Sequence, residues 1–215
     1  MDERRLRNVL LGLTWEARYR KGEHLTERGH FLPRLKTIDP DFAEAFQSLN
    51  LPGRRLLDIG SGLGDQAILY ADLGFEVTGT DVSETSLAEA RRRVAEDGAG
   101  VCFVVDDILM TRLTGPFDLV TDRGCYTLTS VDVRNDYAAN VFRLLRPEGY
   151  FLLKTDRKKT DEQDARIEAL TPYFNLIESK ETCYQGNGER QVKAWFHLLE
   201  PRRDYTLLPQ EKIST

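Results

Sequence analysis

The stretch LLDIGSGLGDQ, residues 56–66, constrains the fold of this chain more than any other part of its sequence. An apolar run that leads into closely spaced glycines and then into a helical pattern predicts a buried strand, a tight turn and a helix. Glycines permit that turn, and they let a ligand approach the backbone amides at the start of the helix. Gly60, Gly62 and Gly64 are therefore candidate cofactor-binding residues, together with Ser61 between them.

Strand and helix patterns alternate from Arg54 to Asp156. The predicted strands are 54–59, 75–81, 101–107, 117–122 and 149–156, and the predicted helices are 65–74, 84–98 and 133–149. Ser83 suits the N-cap of the second of these helices, and Gly98 suits its end. Apolar strands that alternate with helices predict a parallel sheet covered on both faces, which is the doubly wound α/β class.

The pattern changes after residue 156. A charged helix is predicted near 161–170. Two strand-like runs, 174–185 and 191–200, flank the turn GNGER. Two such runs joined by Gly and Asn predict an antiparallel hairpin, which we expect to close the sheet.

The first 50 residues indicate a helical cover. An apolar stripe predicts the first helix, and its members are Leu6, Val9, Leu10, Leu13 and Ala17. Asp39-Pro40 starts a second helix that is expected to turn Phe42, Phe46 and Leu49 inward. Between the two helices, residues 15–31 are polar, aromatic and weakly periodic, and form a candidate lid. We expect a cover over residues 1–50 and a cofactor-binding domain over 51–215, packed as one compact unit.

Composition excludes several classes of protein. The chain has 215 residues, and its apolar runs are far shorter than the roughly 18 residues needed to cross a bilayer. Its charged start argues against a secretory signal. Three scattered cysteines and three histidines without ligand spacing support neither a disulfide scaffold nor a metal site. A net charge of −5 argues weakly against nucleic acid as a partner. We therefore expect a cytoplasmic protein without a metal.

Two acidic residues indicate what the glycine turn binds. Asp81 ends the second predicted strand, 21 residues after Gly60, where a carboxylate accepts from both ribose hydroxyls of a nucleoside. Asp58 precedes the first glycine by two residues; it would repel a pyrophosphate but suits the ammonium of S-adenosylmethionine, directly or through water. Asp65 stands where a dinucleotide turn has its third glycine. These features favour S-adenosylmethionine over NAD.

A further acid pair, Asp106-Asp107, ends the third predicted strand. In an adenosine site, a carboxylate at this position can accept a hydrogen bond from the adenine amino group, and Asp107 is the better candidate. The backbone amide of Ile108 can donate to the ring, and Val82 can pack on its face. Asp107, Ile108 and Val82 are therefore candidate cofactor-binding residues.

The segments LLDIGSGLGDQAILYADLGFEVTGTDVSETSLAEARRR and FDLVTDRGCYTLTSVDVRNDYAANVFRLLRPEGYFLLKT resemble motifs of the class I S-adenosylmethionine-dependent methyltransferases. The resemblance covers about residues 54–200. It implies a seven-stranded sheet in the order 3-2-1-4-5-7-6 with strand 7 antiparallel. It also implies S-adenosylmethionine as cofactor and S-adenosylhomocysteine as product.

Within that class, WEARYRKGEHLTERGHF resembles the N-terminal cover of the thiol, thiopurine and tellurite methyltransferases. Trp15, Arg18-Tyr19 and Gly22 match the pattern of that branch, whereas its Pro-Trp pair is absent. The branch often has a histidine where this chain has Thr127. The resemblance implies that Trp15 and Tyr19 close over the methionine part of the cofactor.

Methyl transfer from a sulfonium is an in-line displacement that depends mainly on positioning in a dry pocket. Three residues at the end of the fourth predicted strand are catalytic candidates. Asp122 could accept from the methionine ammonium or hold a proton of the acceptor. Arg123 could bind an acidic substrate or pair with Asp122, and Tyr126 could line the acceptor pocket.

The sequence thus favours a methyltransferase that acts on a small molecule, with a thiol or another heteroatom as the nucleophile. Two alternatives stay open. One is a nicotinamide-dependent oxidoreductase on a similar sheet. The other is a module that binds S-adenosylmethionine without turning it over.

Overall fold

A computed structural model describes residues 3–22, 35–156, 167–184 and 192–204. The helices are α1 (Glu3–Arg20), α2 (Pro40–Ser48), α3 (Asp65–Asp72), α4 (Glu84–Asp97), α5 (Cys125–Leu128) and α6 (Arg134–Leu144). The strands are β1 (Arg55–Ile59), β2 (Glu76–Asp81), β3 (Val101–Val105), β4 (Phe117–Arg123), β5 (Leu145–Asp156), β6 (Phe174–Tyr184) and β7 (Val192–Pro201). Short 3-10 turns cover Ile108–Met110 and Val131–Val133.

The seven strands form one sheet in the order β3-β2-β1-β4-β5-β7-β6. Strands β1 to β5 pair in parallel with their neighbours, whereas β7 pairs antiparallel with both β5 and β6. This confirms the predicted fold class, the strand order and the antiparallel hairpin. Sequence order reverses between β1 and β4, which leaves a crevice at their carboxyl ends where ligands bind in open α/β sheets.

Side chains of the central strands alternate between the two faces of the sheet, and each face has its own hydrophobic core. Leu56 and Leu57 of β1 are both fully buried, yet Leu56 packs with α2, α3 and α4 while Leu57 packs with α6. The neighbours Leu152 and Leu153 of β5 divide in the same way. Successive side chains of a strand point to opposite faces, so a continuously apolar strand fits only between two layers of helices.

Helix caps follow the sequence closely. Ser83 caps α4 by accepting from the Ser86 amide, and Gly98 ends that helix with φ +73°. Asp39 caps α2 through the Asp41 amide. These caps confirm the predicted starts of both helices.

The boundary between α6 and β5 differs from the prediction. The helix ends at Leu144 and the strand begins at Leu145, although the pattern predicted a strand start at Gly149. Pro147 cannot continue a helix and disfavours helical backbone at the residue before it, so the chain extends early. The four-residue helix α5 was not predicted, because so short a segment carries no helical period.

The apolar stripe of α1 does not face the protein. The helix itself is confirmed, but Leu6, Leu10 and Leu13 are between 46% and 60% exposed. The inner face of α1 carries Trp15 and Tyr19 instead, and both line the cavity described below. By contrast, Phe42 of α2 is fully buried, as predicted.

Several predicted segments lie outside the described residues. They are residues 23–31 of the candidate lid, most of the charged helix near 161–170, and the turn 185–191. The division into a cover (1–50) and a domain (51–215) stays a prediction. Within the described ranges, no helix combines the length and the apolar character that crossing a membrane requires.

Candidate active site

A cavity of about 260 Å³ opens at the carboxyl ends of β1, β2, β3 and β4, beneath α1. Its lining comes from both the sheet edge and the cover. The lining residues are Leu11, Gly12, Trp15, Tyr19, Ile59, Gly60, Thr80, Asp81, Val82, Asp106, Asp107, Ile108, Leu109, Arg123, Gly124, Cys125, Leu128 and Thr129. Eight of the fourteen predicted site residues therefore meet in one place.

The glycine turn forms the floor of this cavity through Gly60. All three glycines of the turn have positive φ values, between 54° and 81°. Residues with a side chain rarely adopt this backbone conformation. A Cβ on Gly60 would lie 2.7 Å from Cβ of Cys125, and one on Gly62 would lie 3.0 Å from the Tyr19 hydroxyl. Gly62, Gly64 and the intervening residues shape the turn without lining the cavity.

Asp58 lies behind the turn and outside the cavity lining. Its Oδ2 accepts from the Ser61 hydroxyl at 2.7 Å, and its Oδ1 accepts from the Thr121 hydroxyl at 2.8 Å. Burial raises the pKa of Asp58 to about 6, against the lowering effect of these two hydrogen bonds. Asp58 thus fixes Ser61 and the turn, and its contact with the ammonium of the cofactor, directly or through water, stays a prediction.

Asp81 stands at the cavity edge with its backbone contacts already made. Oδ2 accepts from the Gly62 amide at 3.0 Å, and Oδ1 accepts from the Ser83 amide at 2.9 Å. Burial raises the pKa of this carboxyl above its usual value. Each carboxylate oxygen can accept more than one hydrogen bond, so the residue can still bind ligand hydroxyls.

The residues predicted to contact adenine also lie on this cavity. Asp107 lines the cavity, and its Oδ1 accepts from the Leu109 amide at 3.0 Å. Burial raises the pKa of Asp107. Ile108 and Val82 supply apolar surface on the same cavity. A flat, weakly polar ring can lie between such walls, next to a carboxylate that accepts its amino hydrogens.

Asp122 and Tyr126 do not line the cavity, and their expected contacts with cofactor or substrate stay a prediction. The Asp122 carboxylate accepts from the backbone amides of Gly124, Cys125 and Tyr126 at 2.7–2.8 Å, and from the Tyr137 hydroxyl. Burial raises its pKa to about 7 despite these bonds. Tyr126 is fully buried and packs edge-on against Tyr137, with ring centroids 4.9 Å apart. Asp122 thus shapes the turn that carries Gly124 and Cys125.

Arg123 lines the cavity and forms an ion pair with Asp39. Its Nε donates to Oδ2 of Asp39 at 3.0 Å, and its guanidinium lies 5.1 Å from the centre of the Tyr184 ring. The predicted pairing with Asp122 is thus replaced by one with Asp39. Lys154, fully buried, donates to the other oxygen of Asp39 at 2.7 Å.

Sequence reasoning missed several cavity residues, above all Gly12, Leu128 and Thr129. Gly12 lies three positions before Trp15, on the face of α1 opposite to the leucine stripe. Leu128 and Thr129 belong to α5 and its end, a segment without periodicity. Only the small residue at position 12 offered a signal, because close helix packing favours glycine.

Comparison with known proteins agrees with this geometry. Residues 56–149 match the family described as a methyltransferase domain. The chain is 35% identical over 126 residues to the ubiquinone biosynthesis O-methyltransferase of Bordetella avium, a stretch that covers 56% of this chain and 51% of that protein. The chain spans between 40% and 51% of the length of the first three curated relatives that it matches.

Solved structures share the fold over most of the chain. One, from a study of the conversion of a disulfide bond into a thioacetal group during echinomycin biosynthesis, has a TM-score of 0.75 at 22% identity and covers 90% of this chain and 94% of its own. The 1,6-didemethyltoxoflavin N1-methyltransferase of Burkholderia thailandensis has a TM-score of 0.72 at 18% identity and covers 94% of this chain and 91% of its own. Residues 56–149 therefore resemble the methyltransferase-domain family, and the sheet has the strand order expected of a class I S-adenosylmethionine-dependent methyltransferase.

Proposed function

We propose that this chain transfers the methyl group of S-adenosylmethionine to a small-molecule nucleophile by in-line displacement. The observation that carries the proposal is the row of acids and apolar walls along one cavity. Asp81 ends β2, Asp107 lies two residues beyond the end of the neighbouring strand β3, and Val82 and Ile108 line the space beside them. An adenosine presents two hydroxyls, an amino group and a flat ring, and this arrangement offers a partner for each.

The same acids argue against a phosphorylated cofactor. Asp81, Asp106 and Asp107 all line the cavity, and Asp58 lies directly behind the turn. A pyrophosphate near these carboxylates would be repelled, whereas a cation is attracted. The cavity therefore suits S-adenosylmethionine better than the nicotinamide cofactor of the alternative function.

Each residue has a defined task in this proposal. Asp81 accepts from the ribose hydroxyls, Asp107 accepts from the adenine amino group, and the Gly60 backbone supports the methionine part. Trp15 and Tyr19 cover that part and exclude water. When bound, S-adenosylmethionine supplies an electrophilic methyl group on a sulfonium. A dry pocket favours this chemistry, because charge is neutralised as the methyl group moves to an anionic acceptor.

The lining near β4 supports a nucleophile that ionises without help. Among the described residues that line this side, from Arg123 to Thr129, there is neither a carboxylate nor an imidazole to act as a general base. A thiol forms an appreciable fraction of thiolate near neutral pH and needs less assistance than a phenol or an amine. Burial raises the pKa of the Cys125 thiol, so Cys125 does not compete as a nucleophile.

Calorimetry on the purified full chain tests cofactor choice. We expect S-adenosylmethionine and S-adenosylhomocysteine to bind and NADH not to bind. Asp81→Ala should weaken binding at least about tenfold, since hydrogen bonds to a charged group are worth about 1.5–3 kcal/mol. Asp72→Ala, an exposed site at the end of α3, should bind like the wild type. Binding of NADH without a response to S-adenosylmethionine would overturn the proposal.

Turnover tests the reaction itself. Formation of S-adenosylhomocysteine is followed with panels of small thiols, phenols and amines. We expect thiols to be methylated fastest. Binding of the cofactor with no turnover across the panels would instead support the module that binds S-adenosylmethionine without catalysis.

A further inference from the structure

One carboxylate on the cover fastens α1 to the start of α4. Oε2 of Glu16 accepts from the Ser83 hydroxyl at 2.5 Å and from the Thr85 amide at 3.2 Å. Oε1 accepts from the Thr85 hydroxyl at 2.6 Å and from Nε of Arg20 at 2.7 Å. Glu16 therefore joins two helices that are far apart in sequence, and it satisfies donors at the first turn of α4.

The fastening point is continuous with the proposed ribose site. Ser83, which donates to Glu16 through its hydroxyl, donates to Oδ1 of Asp81 through its backbone amide. Oδ2 of Asp81 in turn accepts from the Gly62 amide. The cover, the acid at the end of β2 and the glycine turn thus form one chain of hydrogen bonds.

The same face of α1 reaches the cavity on both sides of Glu16. Gly12, Trp15, Glu16 and Tyr19 follow the spacing of one helical face. A Cβ on Gly12 would lie 3.7 Å from Cβ of Val82, and Trp15 and Tyr19 line the cavity. Leu6, Leu10 and Leu13 lie on the opposite side of α1 and are 46% to 60% exposed, so the face that carries Glu16 is the one that meets the rest of the protein.

Burial opposes ionisation of Glu16, but the hydrogen bonds from Ser83, Thr85 and Arg20 outweigh it and hold its pKa at about 2. The side chain is therefore an anion at neutral pH. All of its partners donate to it, as an anion requires.

We infer that Glu16 is a positioning residue of the cofactor site, which holds Trp15 and Tyr19 over the cavity and slows release of the bound cofactor. The inference rests on the proposed binding of S-adenosylmethionine. It assigns no chemical step to Glu16, which acts through the cover that it fastens.

Glu16→Gln is a sharp test, because one carboxylate oxygen faces a backbone N–H donor and the other faces a side-chain N–H donor. The Thr85 amide points at Oε2 and Nε of Arg20 points at Oε1. In either orientation the amide group of Gln loses one of these two charge-assisted hydrogen bonds, because its nitrogen cannot accept from an N–H group. Glu96→Gln is the matched control, since Glu96 on α4 forms an exposed ion pair with Arg92.

Dissociation of S-adenosylhomocysteine from the immobilised full chain measures the effect by surface plasmon resonance. Glu16→Gln should raise the dissociation rate about tenfold, as expected for the loss of one hydrogen bond to a charged group. The association rate should change less, and Glu96→Gln should match the wild type. A dissociation rate for Glu16→Gln equal to that of the wild type would overturn the inference.

A second readout works without ligand. In a Trp195→Phe background, Trp15 is the single tryptophan, and acrylamide quenching reports its exposure. Glu16→Gln should increase quenching of Trp15 in the free protein, and unchanged quenching would contradict the inference. This readout does not depend on cofactor binding. Failure of the wild type to bind S-adenosylhomocysteine would therefore contradict the proposed function alone. Should Glu16→Gln fail to fold, Thr85→Val removes one donor and should raise both readouts by a smaller factor.

Discussion

At the scale of single residues, burial divides four aspartates at the carboxyl edge of the sheet into two pairs. Asp58 and Asp122 are buried and bind hydroxyls and backbone amides of the protein itself. Asp81 and Asp107 reach the cavity. The first pair fixes the two turns that border the cavity, and the second pair is left to contact a ligand. Two of the acids therefore shape the cavity without lining it.

The raised pKa of Asp58 predicts how the free energy of unfolding depends on pH. Its pKa in the folded chain, about 6, exceeds the value of about 3.9 for an unfolded Asp. The folded state therefore binds more protons between these values, and its stabilisation by this group is full below pH 4 and lost as the pH rises to about 6. The loss is on the order of 2–3 kcal/mol.

Asp58→Asn should remove the share of this dependence that comes from Asp58, while the share from Asp122, whose pKa is raised to about 7, remains. The amide oxygen can still accept from Thr121, and the amide nitrogen can donate to the Ser61 hydroxyl, which in turn donates to the backbone carbonyl of residue 58 at 3.0 Å. Urea denaturation between pH 4 and 7 measures the change. The exposed Asp72→Asn should keep the wild-type slope; an equally steep slope in Asp58→Asn would show that burial of Asp58 does not set it.

At the scale of elements, α2 is attached to the sheet by charge as well as by apolar packing. Nζ of Lys154, on β5, donates to Asp39 and Asp41 at 2.7 Å each. Asp41 also accepts from the Thr182 hydroxyl of β6, and Asp39 accepts from Arg123 of β4. Through Lys154, Thr182 and Arg123, the two aspartates at the start of α2 are linked to three strands. Arg123 also lines the cavity.

Lys154→Met should destabilise the fold by about 3–5 kcal/mol, because it leaves two buried carboxylates without their central cation. Lys180→Met is the comparison, since Lys180 is partly exposed, pairs with Glu44 and Glu178 near the surface, and reaches Asp41 only at 3.8 Å. Its cost should stay below about 1 kcal/mol. Chemical denaturation of both variants compares them, and equal costs would mean that the Lys154 pairs contribute no more than surface ion pairs.

At the scale of the whole molecule, sequence reasoning was strongest where local chemistry and topology agree. The glycine turn, the Ser83 cap and the closing hairpin each follow from residue types at fixed spacing, and the structure confirms them. The strand order followed from the family resemblance and is confirmed as well.

Long-range contacts explain what the sequence did not reveal. Spacing places Tyr126 and Asp122 at a strand end but does not say which side chains turn inward, and the packing of Tyr137 decides that. The leucine stripe of α1 predicted the helix correctly, but it could not reveal which face meets the sheet. That face is set by polar contacts of Glu16 with residues almost 70 positions away.

Hydrogen exchange with and without S-adenosylhomocysteine tests whether the whole carboxyl edge acts as one site. The turn at 60–64, the ends of β2 and β3, and α1 surround a single cavity. Amides there that exchange by local opening should slow at least about tenfold at a ligand concentration ten times the Kd. Amides of β6, an edge strand on the far side of the sheet, open independently and should keep their rates. NADH at the same concentration should protect neither region. Protection confined to β6 and β7, or absent from 60–64, would place the ligand elsewhere and separate the fold from the site proposed on it.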